Sequence, residues 1–174
     1  EYKGAARGTA YHRLMECLDY TAVDSESQIH KQITALTEAK KMAYEEAQCI
    51  RIQDIMTFLH SEIGQRMKKA FEADQLYREQ PFVLAQSMKN IEKDWNGEET
   101  VLVQGIIDAY FIEDEEIVLV DYKTDRVRKG EEQHLIDLYH TQLEDYAQAL
   151  ERMLQKKVKE TCIYSFTLGK MIPV

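Results

Sequence analysis

Apolar and polar positions alternate most densely near the middle of the chain. Residues 101–112 and 117–123 are runs of Val, Leu, Ile, Phe and Tyr, the composition of paired strands. Between them Glu113-Asp114-Glu115-Glu116 predicts a polar four-residue hairpin loop. Symmetric closure sets Ile112 opposite Ile117, Tyr110 opposite Leu119 and Asp108 opposite Asp121. Side chains opposed in this way have Cβ atoms about 4.5–5.5 Å apart. Lys123, two residues beyond Asp121, points to the same face.

Helical periodicity dominates what precedes the hairpin. Residues 8–20 predict a helix with Leu14, Cys17 and Leu18 as its apolar stripe. Ser25-Glu26-Ser27-Gln28 matches a capping box, and the helix it starts carries Ile29, Ile33 and Leu36 on one face. The pattern continues over 38–60, with a break near Thr37 and apolar positions at Met42, Ile52, Ile55, Met56 and Leu59. Ser61 predicts the N-cap of a short helix reaching Phe71. Strand signals follow at 75–78 and 82–86, interrupted by Pro81, and Asn96-Gly97 marks a turn into the hairpin. The strongest amphipathic helix spans 135–155, with Leu135, Tyr139, Leu143, Tyr146, Leu150 and Leu154 three or four apart. Residues 158–168 read as a last strand. This order predicts one domain over 1–174, a mixed α/β core with a helical N-terminal cap. It is mainly helical to residue 71, with a sheet and a long helix over 75–168.

Composition narrows the function. A formal net charge of −9, from 22 basic and 31 acidic residues, argues against a large surface that wraps nucleic acid. A local basic groove beside a metal site remains compatible with it. Cys17, Cys49 and Cys162 show no CxxC pairing, so neither a zinc site nor a disulfide framework is expected, and reduced thiols in a cytosolic protein are the default. No apolar run is long enough to span a membrane and no signal-peptide pattern opens the chain. Glu1 in place of an initiator Met leads us to expect a piece of something longer.

The chemistry concentrates in the hairpin. Two carboxylates this close in an apolar setting repel each other and lose hydration, so either one is protonated or both hold a cation. A hard divalent ion suits oxygen ligands. A lysine beside it completes what metal-assisted phosphodiester hydrolysis requires. The plain alternative makes Asp108 and Asp121 surface residues at a sheet edge with Lys123 as their salt-bridge partner. Spacing leaves both open.

Five segments occur in order: Gly8-Thr9-Ala10-Tyr11-His12, Glu79-Gln80-Pro81-Phe82, Gly105-Ile106-Ile107-Asp108, Asp121-Tyr122-Lys123-Thr124, and Gln142 with Tyr146. Together, over nearly the whole chain, they resemble the RecB-family nuclease domains of the PD-(D/E)xK superfamily, such as those carried by bacterial helicase–nucleases of the AddAB type. The superfamily's proline is replaced by Ile107 before Asp108, as is common in that branch. The resemblance implies an α/β, restriction-endonuclease-like mixed sheet flanked by helices. It implies that His12, Asp108, Asp121 and the main-chain carbonyl of Tyr122 bind Mg2+, with Mn2+ also accommodated. Asp108, Asp121, Lys123 and Glu79 would then be catalytic, with Lys123 beside the attacking water. Gln142 and Tyr146 would face the catalytic sheet or the DNA backbone.

Each residue also has a plainer reading. Glu79 could be an ordinary strand glutamate, and Glu16 could orient His12 or be a solvated helix charge. Tyr146 could be core, with Gln142 at its boundary. Arg126 and Arg128, with Lys129, are the first candidates for DNA phosphates but also fit a solvated basic loop. Lys156, Lys157 and Lys159 are accounted for by the end of the long helix.

At the level of the whole protein, the resemblance implies a metal-dependent DNA exonuclease of the bacterial cytoplasm. It would process double-strand breaks for recombination by cutting the unwound single strand. Its partners would be a helicase portion of the same longer chain and an AddB-like subunit. Neither an iron–sulfur cluster nor an ATP site is expected in this segment, because the cysteine set and the GxxxxGK[ST] loop are absent. A non-catalytic nuclease-like module and a free-standing nuclease of the same superfamily are the alternatives.

Overall fold

A computed structural model describes residues 2–174. Helix α1 (Tyr2–Cys17) starts six residues before the expected span and buries Ala10, Tyr11, Leu14 and Met15 along one stripe. Beyond its end, Arg78 donates to the carbonyls of Met15 and Leu18 at 3.2 and 2.7 Å. Helix α2 (Glu26–Glu38) begins where the capping pattern places it, with the Ser25 side chain accepting from the Gln28 N–H. The continuous helix expected over 38–60 does not form. Lys40 adopts φ 56°, its N–H bonds to Thr37 O, and Lys41 N–H bonds back to Leu36 O. This is a Schellman stop built on lysine, without the glycine that usually announces one. The chain resumes as α3 (Tyr44–Ala47) and α4 (Ile52–His60). Ser61 then caps α5 (Glu62–Glu72), accepting from Gly64 N–H.

The first strand, β1 (Leu76–Ser87), runs straight through Pro81. It lies at the edge of the sheet, where a missing N–H costs no ladder bond, so the expected interruption is absent. A short helix α6 (Met88–Ile91) and a loop containing Asn96 and Gly97 lead to β2 (Thr100–Glu113). The hairpin to β3 (Glu116–Lys123) has the predicted register, Ile112 with Ile117 and Tyr110 with Leu119. Its loop is tighter than expected. Glu113 pairs with Glu116, leaving Asp114 and Glu115 as a two-residue turn, both at positive φ. Helix α7 (Glu132–Leu154) crosses over to β4 (Val158–Ser165), which runs parallel to β3. The single last strand expected over 158–168 is instead β4 and a return strand β5 (Lys170–Pro173), with Gly169 at φ 65° between them. The sheet order is β1-β2-β3-β4-β5, a mixed sheet with flanking helices.

Helices α1, α2, α4 and α5 cover one face, with Leu14, Ile29, Phe58 and Met67 in a core shared with Phe111, Val118 and Val120. On the opposite face α7 brings Leu135, Leu143, Tyr146 and Leu150 against Ile117, Leu119 and Ile163. Gly105 matters to this second core. A Cβ there would lie 2.9 Å from the Phe82 ring, which is itself buried edge-to-face against Tyr146. Gly105→Val is expected to lower the unfolding free energy by about 1–3 kcal/mol through overpacking, measurable by urea denaturation.

Arg66 on α5 reaches Glu113 at 2.9 Å and Glu160 at 2.5 Å, with Lys159 3.0 Å from Glu113. Lys156 and Lys157 likewise pair with Glu115 and Glu116. The hydrogen bond from Arg66 is the main reason the Glu113 carboxyl is held down to about 2. A depressed folded-state pKa contributes stability above the unfolded value and loses it as pH falls toward the folded one. Arg66→Gln should therefore cost about 1–3 kcal/mol at pH 7, shrinking between pH 4.5 and 2 as Glu113 protonates. Denaturant melts at the two ends of that window test the sign.

Candidate active site

The ladder between β2 and β3 stops at Ala109 and Val120, one step short of the predicted Asp108–Asp121 pair. Beyond it β3 stays paired with β4 as far as Lys123 and Ser165, so the strands splay where the carboxylates stand. The freed Tyr122 N–H donates to Asp108 Oδ2 at 2.9 Å. A strand residue sends its N–H and C=O out on the same edge, so the Tyr122 carbonyl opens into this gap too. Opposite Asp108, Glu79 breaks the strand geometry of β1 with φ 51°, a conformation that costs a non-glycine residue about 1–2 kcal/mol. The sheet changes facing at this point. Ile107 belongs to the α7 core, whereas Ala109, two residues on, belongs to the other.

His12 enters from α1, beside the buried Tyr11 and Leu14 stripe. Its Nδ1 lies 2.9 Å from Gly8 O and its Nε2 3.1 Å from Asp108 Oδ2. The Gly8 carbonyl requires a proton on Nδ1, which fixes the tautomer and aims Nε2 at the carboxylate. Main chain thus orients the ring. Glu16 pairs instead with Arg13 at 2.6 Å, which answers the question its spacing raised. Burial opposes protonation of His12, but the bond to Asp108 and its negative charge outweigh this, pushing the imidazole up to about 9.

Asp121 is only 3% exposed. Burial first, and then the charge of Asp108, push its carboxyl up to about 6 against the pull of Lys123. Lys123 Nζ lies 2.8 Å from Asp121 Oδ2, a close charge-assisted contact and the carboxylate's nearest positive partner. The ammonium rests 3.9 Å above the Tyr139 ring and 3.4 Å from Gln142 Oε1. Tyr139 in turn donates to Asp125 Oδ1 at 2.9 Å. Glu79 is half-buried, and its carboxyl is raised by burial and then by the charges of Asp108 and Glu16. Tyr146 is buried, and its hydroxyl is pushed up to about 12 by burial and by Asp121 and Asp108.

The structure therefore gathers His12, Glu79, Asp108, Asp121, Tyr122, Lys123, Gln142 and Tyr146 around one splayed gap. Arg126, Arg128 and Lys129 lie outside it, exposed on the segment after β3. Tyr139 was legible only as a core position of α7. The signal that could have singled it out is its place three residues before Gln142 and seven before Tyr146, on the same helix face.

Among the described residues no three His, Cys, Asp or Glu side chains stand at metal-ligating distances. The donors nevertheless suit a hard divalent cation. They comprise one imidazole nitrogen of fixed tautomer, two carboxylates, of which that of Asp121 is buried, and a main-chain carbonyl at the gap.

The chain matches the PD-(D/E)XK nuclease superfamily over residues 1–171 and belongs to it, and the mixed five-stranded sheet with flanking helices is consistent with that family's fold. Its relatives carry a more particular description, each being a subunit of an ATP-dependent helicase/nuclease. The chain is 42% identical over 168 residues to the one from Alkaliphilus metalliredigens (strain QYMF), covering 95% of this chain and 14% of the relative. Against the one from Lachnoclostridium phytofermentans it is 33% identical, covering 100% of this chain and 15% of the relative. With that of Clostridium perfringens (strain 13 / Type A) the figures are 35%, 100% and 14%. The chain thus spans about one-seventh of the length of these curated relatives. No helix of the described residues is long and apolar enough to cross a membrane.

Proposed function

We propose that residues 1–174 form the nuclease unit of a longer bacterial, cytoplasmic helicase–nuclease, an exonuclease that hydrolyses the phosphodiester bonds of an unwound DNA strand with Mg2+ or Mn2+. The observation that carries this reading is the buried Asp121–Lys123 contact beside the Asp108–His12 pair. A desolvated carboxylate and an ammonium stand together where the ladder between β2 and β3 ends. The relatives' description as ATP-dependent helicase/nuclease subunits supports a helicase portion in the same polypeptide, with ATP bound there. An AddB-like partner subunit, single-stranded DNA as the form that is cut, and double-strand-break processing for recombination belong to the same reading.

His12 through Nε2, Asp108 and Asp121 through their carboxylates, and Tyr122 through its carbonyl would hold the cation. When bound, it would neutralise the phosphate and acidify the attacking water. Asp108 keeps its position because the Tyr122 N–H anchors Oδ2 from behind. To hold the cation, His12 would give up its Nε2 proton to solvent and keep that on Nδ1, held by Gly8. Lys123, beside Asp121 and over the Tyr139 ring, would orient the water and meet the growing negative charge on the phosphate. Gln142 restrains that ammonium through Oε1. Glu79, opposite Asp108 in the strand register and sensing its charge, would bear on a water at the gap, and Tyr146 closes the apolar wall.

The test is cleavage of a 5′-labelled single-stranded oligonucleotide with Mg2+, Mn2+ or chelator. Metal-dependent cleavage that progresses from an end and vanishes with chelator is the expected result. Cleavage that survives chelation contradicts the metal site.

A further inference from the structure

A second cleft opens beside the end of β3. It has a volume of about 360 Å³, and Arg7, Arg51, Asp54, Arg126, Phe166 and Thr167 line it. These residues come from five separate elements or loops, brought together by the packing of α1 and α4 against the end of β3.

In a chain of net charge −9, this lining carries three guanidinium groups against one carboxylate. Asp54 is already engaged, by Arg7 Nη2 at 3.4 Å and by the hydroxyl of Tyr11 at 2.5 Å. Arg7 is a fixed wall of the cleft. Its guanidinium stacks over the Tyr11 ring and donates to Thr124 O at 2.9 Å and to Thr167 Oγ1 at 3.2 Å. Arg51 is anchored at its backbone, where its N–H donates to the Tyr11 hydroxyl at 3.1 Å. Its side chain is exposed, as is that of Arg126, and neither guanidinium has an ion-pair partner among the described residues. Like charges collected around one cleft repel unless an anion lies between them, and a guanidinium is suited to two phosphate oxygens at once.

The location identifies the anion. Thr124 follows Lys123 directly, and Phe166 N–H bonds to Lys123 O at 2.9 Å. Two residues of the cleft, Arg7 and Phe166, therefore bond to the main chain of Thr124 and Lys123 at the end of β3. We propose that this cleft is a backbone-phosphate subsite, in which Arg51 and Arg126 grip a phosphodiester of the nucleic-acid strand neighbouring the one at Lys123, while Arg7 holds the subsite in register with the active site. The subsite rests on the nuclease reading for its ligand and adds Arg7 and Arg51 to the strand's path. It reads the backbone, so it is indifferent to base sequence.

The experiment is a salt titration of binding, with Ca2+ in place of Mg2+ to suppress turnover. A fluorescent single-stranded oligonucleotide is bound by the unaltered protein and by Arg51→Gln, Arg126→Gln, Arg51→Lys and the double glutamine variant. Each glutamine change should weaken binding roughly fivefold at 0.1 M salt and lower the slope of log K against log[salt] by about 0.7, with Arg51→Lys keeping the slope. A methylphosphonate strand, lacking backbone charge, should bind all the variants alike. Unchanged affinity and slope in the double variant overturn the subsite while leaving the nuclease reading intact, provided the unaltered protein cleaves. Arginine-dependent binding in a protein that never cleaves upholds the subsite and removes the nuclease reading. Inorganic phosphate competing as strongly as the strand itself shows a pocket for a free anion and overturns the proposal, as does a protein that binds no strand at all.

Discussion

Asp121→Asn should abolish cleavage while leaving the protein folded. The carboxylate is 3% exposed and its close partner is the Lys123 ammonium, 2.8 Å from Oδ2, so replacing it leaves the backbone ladder of the sheet intact. An amide of the same shape removes a desolvated negative charge and leaves Lys123 able to lean on Gln142 and the Tyr139 ring. Relief of the buried charge opposes the loss of the ion pair with Lys123, and the net change should be within about 1 kcal/mol. The loss in catalysis should be far larger. Removing a charged cation ligand worth about 4 kcal/mol corresponds to roughly 10³-fold in rate. Cation affinity should fall with it, which separates Asp121 from a residue that merely positions water. Single-turnover cleavage and Mn2+ titration on the same preparation check both halves. A variant that cleaves within tenfold of the unaltered protein removes Asp121 from the site.

The elements whose determinants are local were legible in the residues. Ser25 and Ser61 cap their helices because the capping hydroxyl and the N–H it binds lie three residues apart in the chain. The register of β2 with β3 followed from alternation across a short turn. Where the reading departed from the structure, the decisive partner was elsewhere. Lys40 ends α2 at φ 56° with hydrogen bonds that any residue's backbone can make, so no glycine announced it. Pro81 continues β1 because that strand is an edge, a property of the whole sheet. Gly169, by contrast, could have flagged the turn between β4 and β5.

The same division runs through the site. The spacing of Asp121 and Lys123 put both on one face, and they are in contact. Asp108 and Asp121 were placed opposite each other, yet the ladder ends before they pair, because Asp108 takes the Tyr122 N–H that a continuing strand would have used. Tyr139 read as core since its ring is apolar, and only the arrival of an ammonium 3.9 Å from it turned the ring into part of the site. Arg7 and Arg51, more than forty residues apart, carry no pattern that links them. Tyr11 does so, lying under one guanidinium and accepting a hydrogen bond from the backbone of the other.

Lys123→Ala should reveal what the lysine does when no substrate is present as well as when one is. Without it, the buried Asp121 carboxylate beside Asp108 loses its nearest positive charge, whose Nζ stands 2.8 Å away. Breaking a buried pair from one side costs about 3–5 kcal/mol, less whatever Asp121 recovers by taking up a proton. A divalent cation restores the missing charge at the same carboxylates. Ligand-linked stabilisation grows with affinity for the folded state, and the ammonium no longer competes for Asp121. Mg2+ or Mn2+ should therefore raise the melting temperature of Lys123→Ala more than that of the unaltered protein, while turnover falls about 10²–10³-fold for want of the donor. Lys123→Arg should not restore turnover, because a planar fork does not reproduce a compact ammonium seated between Tyr139 and Gln142. Thermal melts with and without the cation give the answer independently of any cleavage assay. An alanine variant as stable as the unaltered protein in chelator, or one that the cation stabilises no further, would show that Lys123 is not standing in for a metal at Asp121.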